Sequence, residues 1–142
     1  MNGMESAIQS NTVEGDISFI ADGAITEGYL VKSSTVASGE ARVTLPTDVA
    51  DECLYIALET AATGERCNCR PLSPHLNSRV IAGGTIAAGV RVYLSGATFG
   101  KVVTSTGAGA DTYFSPGIAE ESATAGGYIR IRPCPRAGIV IS

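Results

Sequence analysis

The sequence has 142 residues, among them 17 glycines and no tryptophan, with 44% hydrophobic and 17% charged residues and a formal charge of -4. That length suits one ordinary domain or two very small ones, and lets roughly two thirds of the unfolded surface be buried. The composition excludes a highly charged disordered chain, the charge argues against a nucleic-acid-binding surface, and the apolar runs at 85–90 and 137–141 are far too short to span a bilayer.

The first 16 residues are mostly polar or small and cannot bury enough apolar surface to fold alone. Ile8, Val13, Ile17 and Phe19 are spaced among and just beyond them like anchors, the last three sharing strand parity. Such an arm can add a strand to a partner's sheet edge, the alternative being a frayed terminus. Deleting residues 1–16 is expected to leave the β-domain folded. With no basic segment and no apolar stretch at the start, no signal peptide is expected. Synthesis in the cytoplasm would keep Cys53, Cys67, Cys69 and Cys134 as free thiols.

Beyond the arm, the chain matches itself. Residues 56–71 align without a gap on 118–133, with seven identities in sixteen: Ile56, Ala57, Glu59, Ala61, Gly64, Arg70 and Pro71 fall on Ile118, Ala119, Glu121, Ala123, Gly126, Arg132 and Pro133. Upstream, Gly23, Ile25, Gly28 and Val31 fall on Gly84, Ile86, Gly89 and Val92. Two blocks in the same order, slipped by one residue, point to a tandem duplication with a loop indel. The division is an arm and first strand at 1–21, one β repeat at 22–72, a Pro-containing linker at 73–82, a second repeat at 83–134 and a C-terminal strand at 135–142.

Each repeat reads as short strands: 29–32 and 90–94, then 41–45 and 101–104, then 54–58 and 113–119. The glycine turns at 64 and 126 lead into 66–70 and 128–132, both alternating with period two. Residues 47–52 offer a single helical turn at most, and Pro116 with Gly117 suggests a bulge. The fold class is all-β, a small barrel or sandwich of two tandem, pseudo-symmetric repeats with short loops, sharing one core.

Most chemical constellations dissolve in this alignment. Cys67 and Cys69 suggest zinc, but their spacing departs from the usual two-residue gap, and their counterparts are Ile129 and Ile131. They read as apolar core positions. His75, the single histidine, lies in the linker and reads as solvated. Asp51/Glu52 and Glu120/Glu121 are adjacent pairs whose members point to opposite strand faces, so neither makes an acid–base couple. The stretch 107–111 lacks the Lys-Ser/Thr of a phosphate loop. Arg130, Arg132 and Arg136 with Lys101 form the basic concentration, Arg130 and Arg132 sharing a face suited to a carboxylate neighbour. No catalytic residue, cofactor or metal is expected.

The paired Gly-x-Ile-x-x-Gly-x-x-Val and Ile-Ala-x-Glu-x-Ala-x-x-Gly segments, at 23–31, 56–64 and 118–126, resemble those of tailed-bacteriophage capsid decoration (cement) proteins. The resemblance implies a non-enzymatic protein on the outer capsid surface that clamps neighbouring major capsid protein subunits and stabilises the expanded shell. It also implies a homo-oligomer, a trimer; with the capsid as the arm's partner, the anchors Ile8, Val13, Ile17 and Phe19 are the expected capsid contacts. The Pro-Cys134-Pro segment lies outside the pattern. The alternatives are another phage structural subunit, a head fibre or tail protein, and a small-ligand-binding β-barrel. Fibres favour many short repeats or long heptads, which two long repeats fit poorly.

Overall fold

The computed structural model describes residues 15–35, 39–104 and 111–141; Ile8, Val13 and most of the loop at 107–111 lie outside them. The described chain is all-β. Its strands are β1 (Ile17–Ala21), β2 (Leu30–Ser33), β3 (Arg42–Thr44), β4 (Tyr55–Ala57) and β5 (Arg66–Pro71), then β6 (Ser78–Ile81), β7 (Arg91–Leu94), β8 (Val102–Val103), β9 (Asp111–Ala119) and β10 (Tyr128–Ile141).

The first five strands close into a barrel in the order β1-β3-β2-β4-β5, with β1 and β3 parallel and β1 antiparallel to β5. The second five form a sheet in the order β6-β10-β9-β7-β8, curled so that its edge strands meet at an isolated parallel bridge between Ala82 and Val102, which makes it an incompletely closed second barrel. Read as a cycle, that is the same order. Registers repeat as well: Phe19 opposite Cys67 becomes Val80 opposite Ile129, and Ile56 opposite Arg70 becomes Ile118 opposite Arg132.

These matches move one boundary. Residues 78–82 do not belong to a linker loop; they are the second copy of β1, with Ile20 and Ala21 matching Ile81 and Ala82. The repeat therefore begins at the first strand, and the loop shrinks to the Ser73–Asn77 turn. The strand expected at 135–142 is the continuation of β10, which runs unbroken through 14 residues.

The identities have structural causes. Gly28 and Gly89 both take a positive φ, 86° and 88°, at the turn into β2 and β7, a conformation that costs an L side chain about 1–2 kcal/mol. Glu59 accepts the Asn68 backbone N–H at 2.8 Å, and Glu121 accepts that of Arg130 at 2.9 Å. Thr60 and Ser122 hydroxyls accept the backbone N–H of Glu27 and Ala88. Gly117 is fixed differently: a Cβ there would collide with the Arg132 carbonyl oxygen across the ladder. Gly117 pairs in register with Pro133, so the bulge expected at 116–117 sits instead on β10, between Pro133 and Arg136 and between Arg136 and Ile139.

Each repeat has its own interior. The first is filled by Phe19, Ala21, Ile25, Val31, Val43, Ala57, Ala61, Cys67 and Cys69. The matching positions in the second are Val80, Ala82, Ile86, Val92, Val102, Ala119, Ala123, Ile129 and Ile131. A single shared core is thus replaced by two, because each five-stranded unit curls around its own apolar face. The units are joined where Leu30, Cys53 and Ile56, on the outer side of the first, cluster with Leu94 and Phe114 of the second. Backbone bonds lock this seam: Leu30 N–H to Gly100 C=O, Ile81 N–H to Gly28 C=O and Phe114 N–H to Val49 C=O.

Candidate functional site

Most of the groups that suggested chemistry are occupied by structural work. Cys67 and Cys69 are fully buried on one face of β5, their Sγ atoms 3.9 Å apart, where the second repeat has its isoleucines. Burial first, then the neighbouring Cys67 thiol and after it the Glu59 and Asp16 carboxylates, pushes the Cys69 thiol far up; burial also raises Cys67 and lifts Cys53 to about 12. Cys53 is buried and Cys134 exposed, and all four cysteines are free. Among the described residues, no group of three or more His, Cys, Asp or Glu side chains converges as metal ligands would.

His75 is exposed in the Ser73–Asn77 turn. Asp51 organises the 47–51 turn, which is not helical: its carboxylate accepts the backbone N–H groups of Thr47 and Asp48 and the Lys32 ammonium at 2.9 Å. Burial works to raise the Asp51 pKa, but Lys32 and those two N–H donors outweigh it and hold the carboxyl below its ordinary value. Glu120 and Glu121 stand in the turn after β9, not on a strand, so both reach toward β10 instead of opposite faces. Glu120 pairs with Arg132 at 3.1 Å and Arg130 at 3.7 Å, the carboxylate neighbour expected for that arginine face.

The proposed anchors separate. Ile17 is 41% exposed at the start of β1, whereas Phe19, two residues on, is 6% exposed and packs edge-on against Tyr55 at 5.0 Å. Phe19 is therefore a core residue of the first barrel, the counterpart of Val80, and not a surface contact. The arm also ends earlier than residue 16. Asp16, whose side chain is 2% exposed, receives two hydrogen bonds from the Arg70 guanidinium, at 2.9 and 3.1 Å, and so belongs to the barrel.

A concave site does exist, in a place sequence reasoning missed. Between the barrels lies a cleft of about 470 Å³, floored by Gly28, Ile56, Ala57 and Leu58 and walled by Arg70 from β5, Ser78 and Arg79 from β6, and Tyr128 and Arg130 from β10, with Glu27 and Asn77 at its edge. Tyr128 donates its phenol O–H to Glu27 at 3.2 Å, and the Arg79 guanidinium lies 5.3 Å from the Tyr128 ring centre. Burial first, then the Glu27 carboxylate, raises the Tyr128 pKa and keeps the phenol a donor. The Ser78 hydroxyl is buried and has no partner among the described residues. Of the arginines singled out in the sequence, only Arg130 lines this cleft. Arg70 and Arg79 come from other strands, and no spacing along the chain connects the three.

No family model matches this sequence, and no curated protein matches it. Among solved structures, the chain is similar to the N base of head fiber gp8.5 of bacteriophage phi29, with a TM-score of 0.65 and 20% identity, over 87% of this chain and 96% of that one. The fold resembles a phage head-fibre base. The match spans too much of the chain to rest on one repeat.

Proposed function

We propose that this chain is a non-enzymatic structural component of a tailed-phage head, attached to the outer capsid surface. The observation that carries the reading is the likeness to a head-fibre base along nearly the whole of both chains. The engagement of Cys53, Cys67, Cys69, Asp51, Glu120, Glu121, Arg130 and Arg132 in packing, turns or ion pairs is consistent with it. The partner in this reading is the major capsid protein, and the chain acts as a homo-oligomer, a trimer in the arrangement the cement resemblance implies. Seated alone it acts as a cement that clamps neighbouring capsid subunits; carrying further chain it acts as a fibre's foot, the role the structural likeness favours.

The test is a binding experiment with purified protein and the capsids of the phage that encodes it. Sedimentation with expanded heads, and protease access to the bound protein from outside, are the expected results. Absence of the protein from purified virions, together with no binding to expanded heads, would refute the assignment.

A further inference from the structure

The cleft between the barrels is chemically unlike the rest of the molecule. In a chain with 10 basic and 14 acidic residues, three arginines line it against one carboxylate, Glu27. Arg70 is neutralised by Asp16, and Arg130 shares Glu120 with Arg132 across a long 3.7 Å contact. Arg79 has only the Tyr128 ring as a partner among the described residues. A guanidinium without an acid, beside a second one loosely held, is a binding position for an oxyanion, which arginine grips through two parallel hydrogen bonds.

Around that charge the cleft offers donors and acceptors together: the Glu27 carboxylate, the Asn77 amide and the Tyr128 phenol. Its volume lies in the range of small-ligand sites, about 300–1,000 Å³. The walls also disfavour an extended peptide. β4, β5 and the first residues of β10 are hydrogen-bonded on both sides, and the Ile81 N–H of the edge strand β6 is taken by Gly28, which leaves little backbone edge toward the cleft. Recognition there runs chiefly through side chains.

We propose that the interbarrel cleft binds an acidic saccharide unit, its carboxylate or phosphate held by Arg79 and Arg130, cross-strand neighbours on one face of β6 and β10, and its hydroxyls by Glu27, Asn77 and Tyr128. The proposal does not depend on the phage-head reading, since it concerns the isolated chain. It is tested by titrating the full chain, labelled for amide NMR, with glucuronic acid, glucose 6-phosphate, methyl glucoside and a pentaglutamate peptide in separate arms. The expected result is saturable movement of the Ser78, Arg79 and Tyr128 signals with one or both acidic sugars; whichever saturates at lower concentration names the anion. Arg79→Met should weaken that binding by about tenfold or more, equivalent to about 1.4 kcal/mol, while Arg136→Met on the far part of β10 leaves it unchanged. Arg79 is exposed, so the variant's spectrum reports directly that it is folded. No saturable movement with either acidic sugar, equal binding of the neutral glucoside, tighter binding of the peptide, or equal loss in Arg136→Met would each overturn the proposal.

Discussion

Removing Asp16 should destabilise the first barrel although the residue sits at the edge of a polar arm. Its carboxylate is 2% exposed and takes two hydrogen bonds from Arg70, whose own side chain is 23% exposed. Breaking a buried pair by deleting one partner costs about 3–5 kcal/mol, because the other charge is left without compensation. Arg70 borders the interbarrel cleft and can recover part of its solvation there, so about 2 kcal/mol is expected for Asp16→Asn. With a urea dependence of about 1–3 kcal/mol per molar for a small protein, the unfolding midpoint should fall by roughly 1 M. Circular dichroism is the suitable probe in a chain without tryptophan. A protein lacking residues 1–16 should behave like Asp16→Asn. Replacing both partners, Asp16→Leu with Arg70→Met, should restore most of the loss, since an apolar pair carries no desolvation cost. If Asp16→Asn unfolds at the parental midpoint, the ion pair does not anchor the barrel and the reasoning fails.

The cysteines give a sharper contrast between chemistry and packing. In the native protein a thiol reagent should modify Cys134 alone, the other three reacting only after unfolding; rapid labelling of Cys67 or Cys69 would contradict their burial. Cys67→Val should cost less than about 1.5 kcal/mol by urea unfolding, as a similar-sized apolar exchange does, whereas Ile131→Ala in the second barrel should cost about 2–5 kcal/mol. Asp51 sets a pH dependence. Its folded pKa lies below the ordinary 3.8, so its contribution is complete above that value and is lost as the pH falls through the depressed pKa. Acid unfolding of Asp51→Asn should lack that part of the transition, and an acid limb identical to the parent's would count against the Lys32–Asp51 turn as its source.

What the sequence made legible was whatever repeats in residue type. The alignment of 56–71 with 118–133 located β4, β5, β9 and the start of β10, because each position faces the same way in both copies and alternation with period two survives divergence. It also converted Cys67 and Cys69 from metal ligands into interior positions on residue types alone. The match between β1 and β6 was missed although Ile20 and Ala21 recur as Ile81 and Ala82. Those strands are short, and the prolines at 71 and 74 give the approach to β6 the character of a loop. The cleft was illegible for a different reason. Arg70, Arg79 and Arg130 are neighbours only because the outer face of one barrel docks on the other, and docking leaves no periodic trace in a chain. The adjacent glutamates 120 and 121 misled because the two-faced rule for strands was applied to a turn.

The two interiors divide their volume differently across the same pair of strands. In the first barrel an aromatic ring, Phe19, stands opposite the small thiol of Cys67; in the second, Val80 stands opposite Ile129, two branched side chains of middling size. Exchange one strand for its duplicate and the sums no longer work: β1 beside β10 would set Phe19 against Ile129, and β6 beside β5 would leave a void between Val80 and Cys67. Overfilling of that kind costs about 1–3 kcal/mol, and the void carries its own penalty. A tandem duplicate is otherwise prone to mispairing during folding and to swapping equivalent strands between molecules at high local concentration. Here each strand carries a size code that only its own neighbour completes, so the divergence of the copies keeps many crowded chains from knitting into one another.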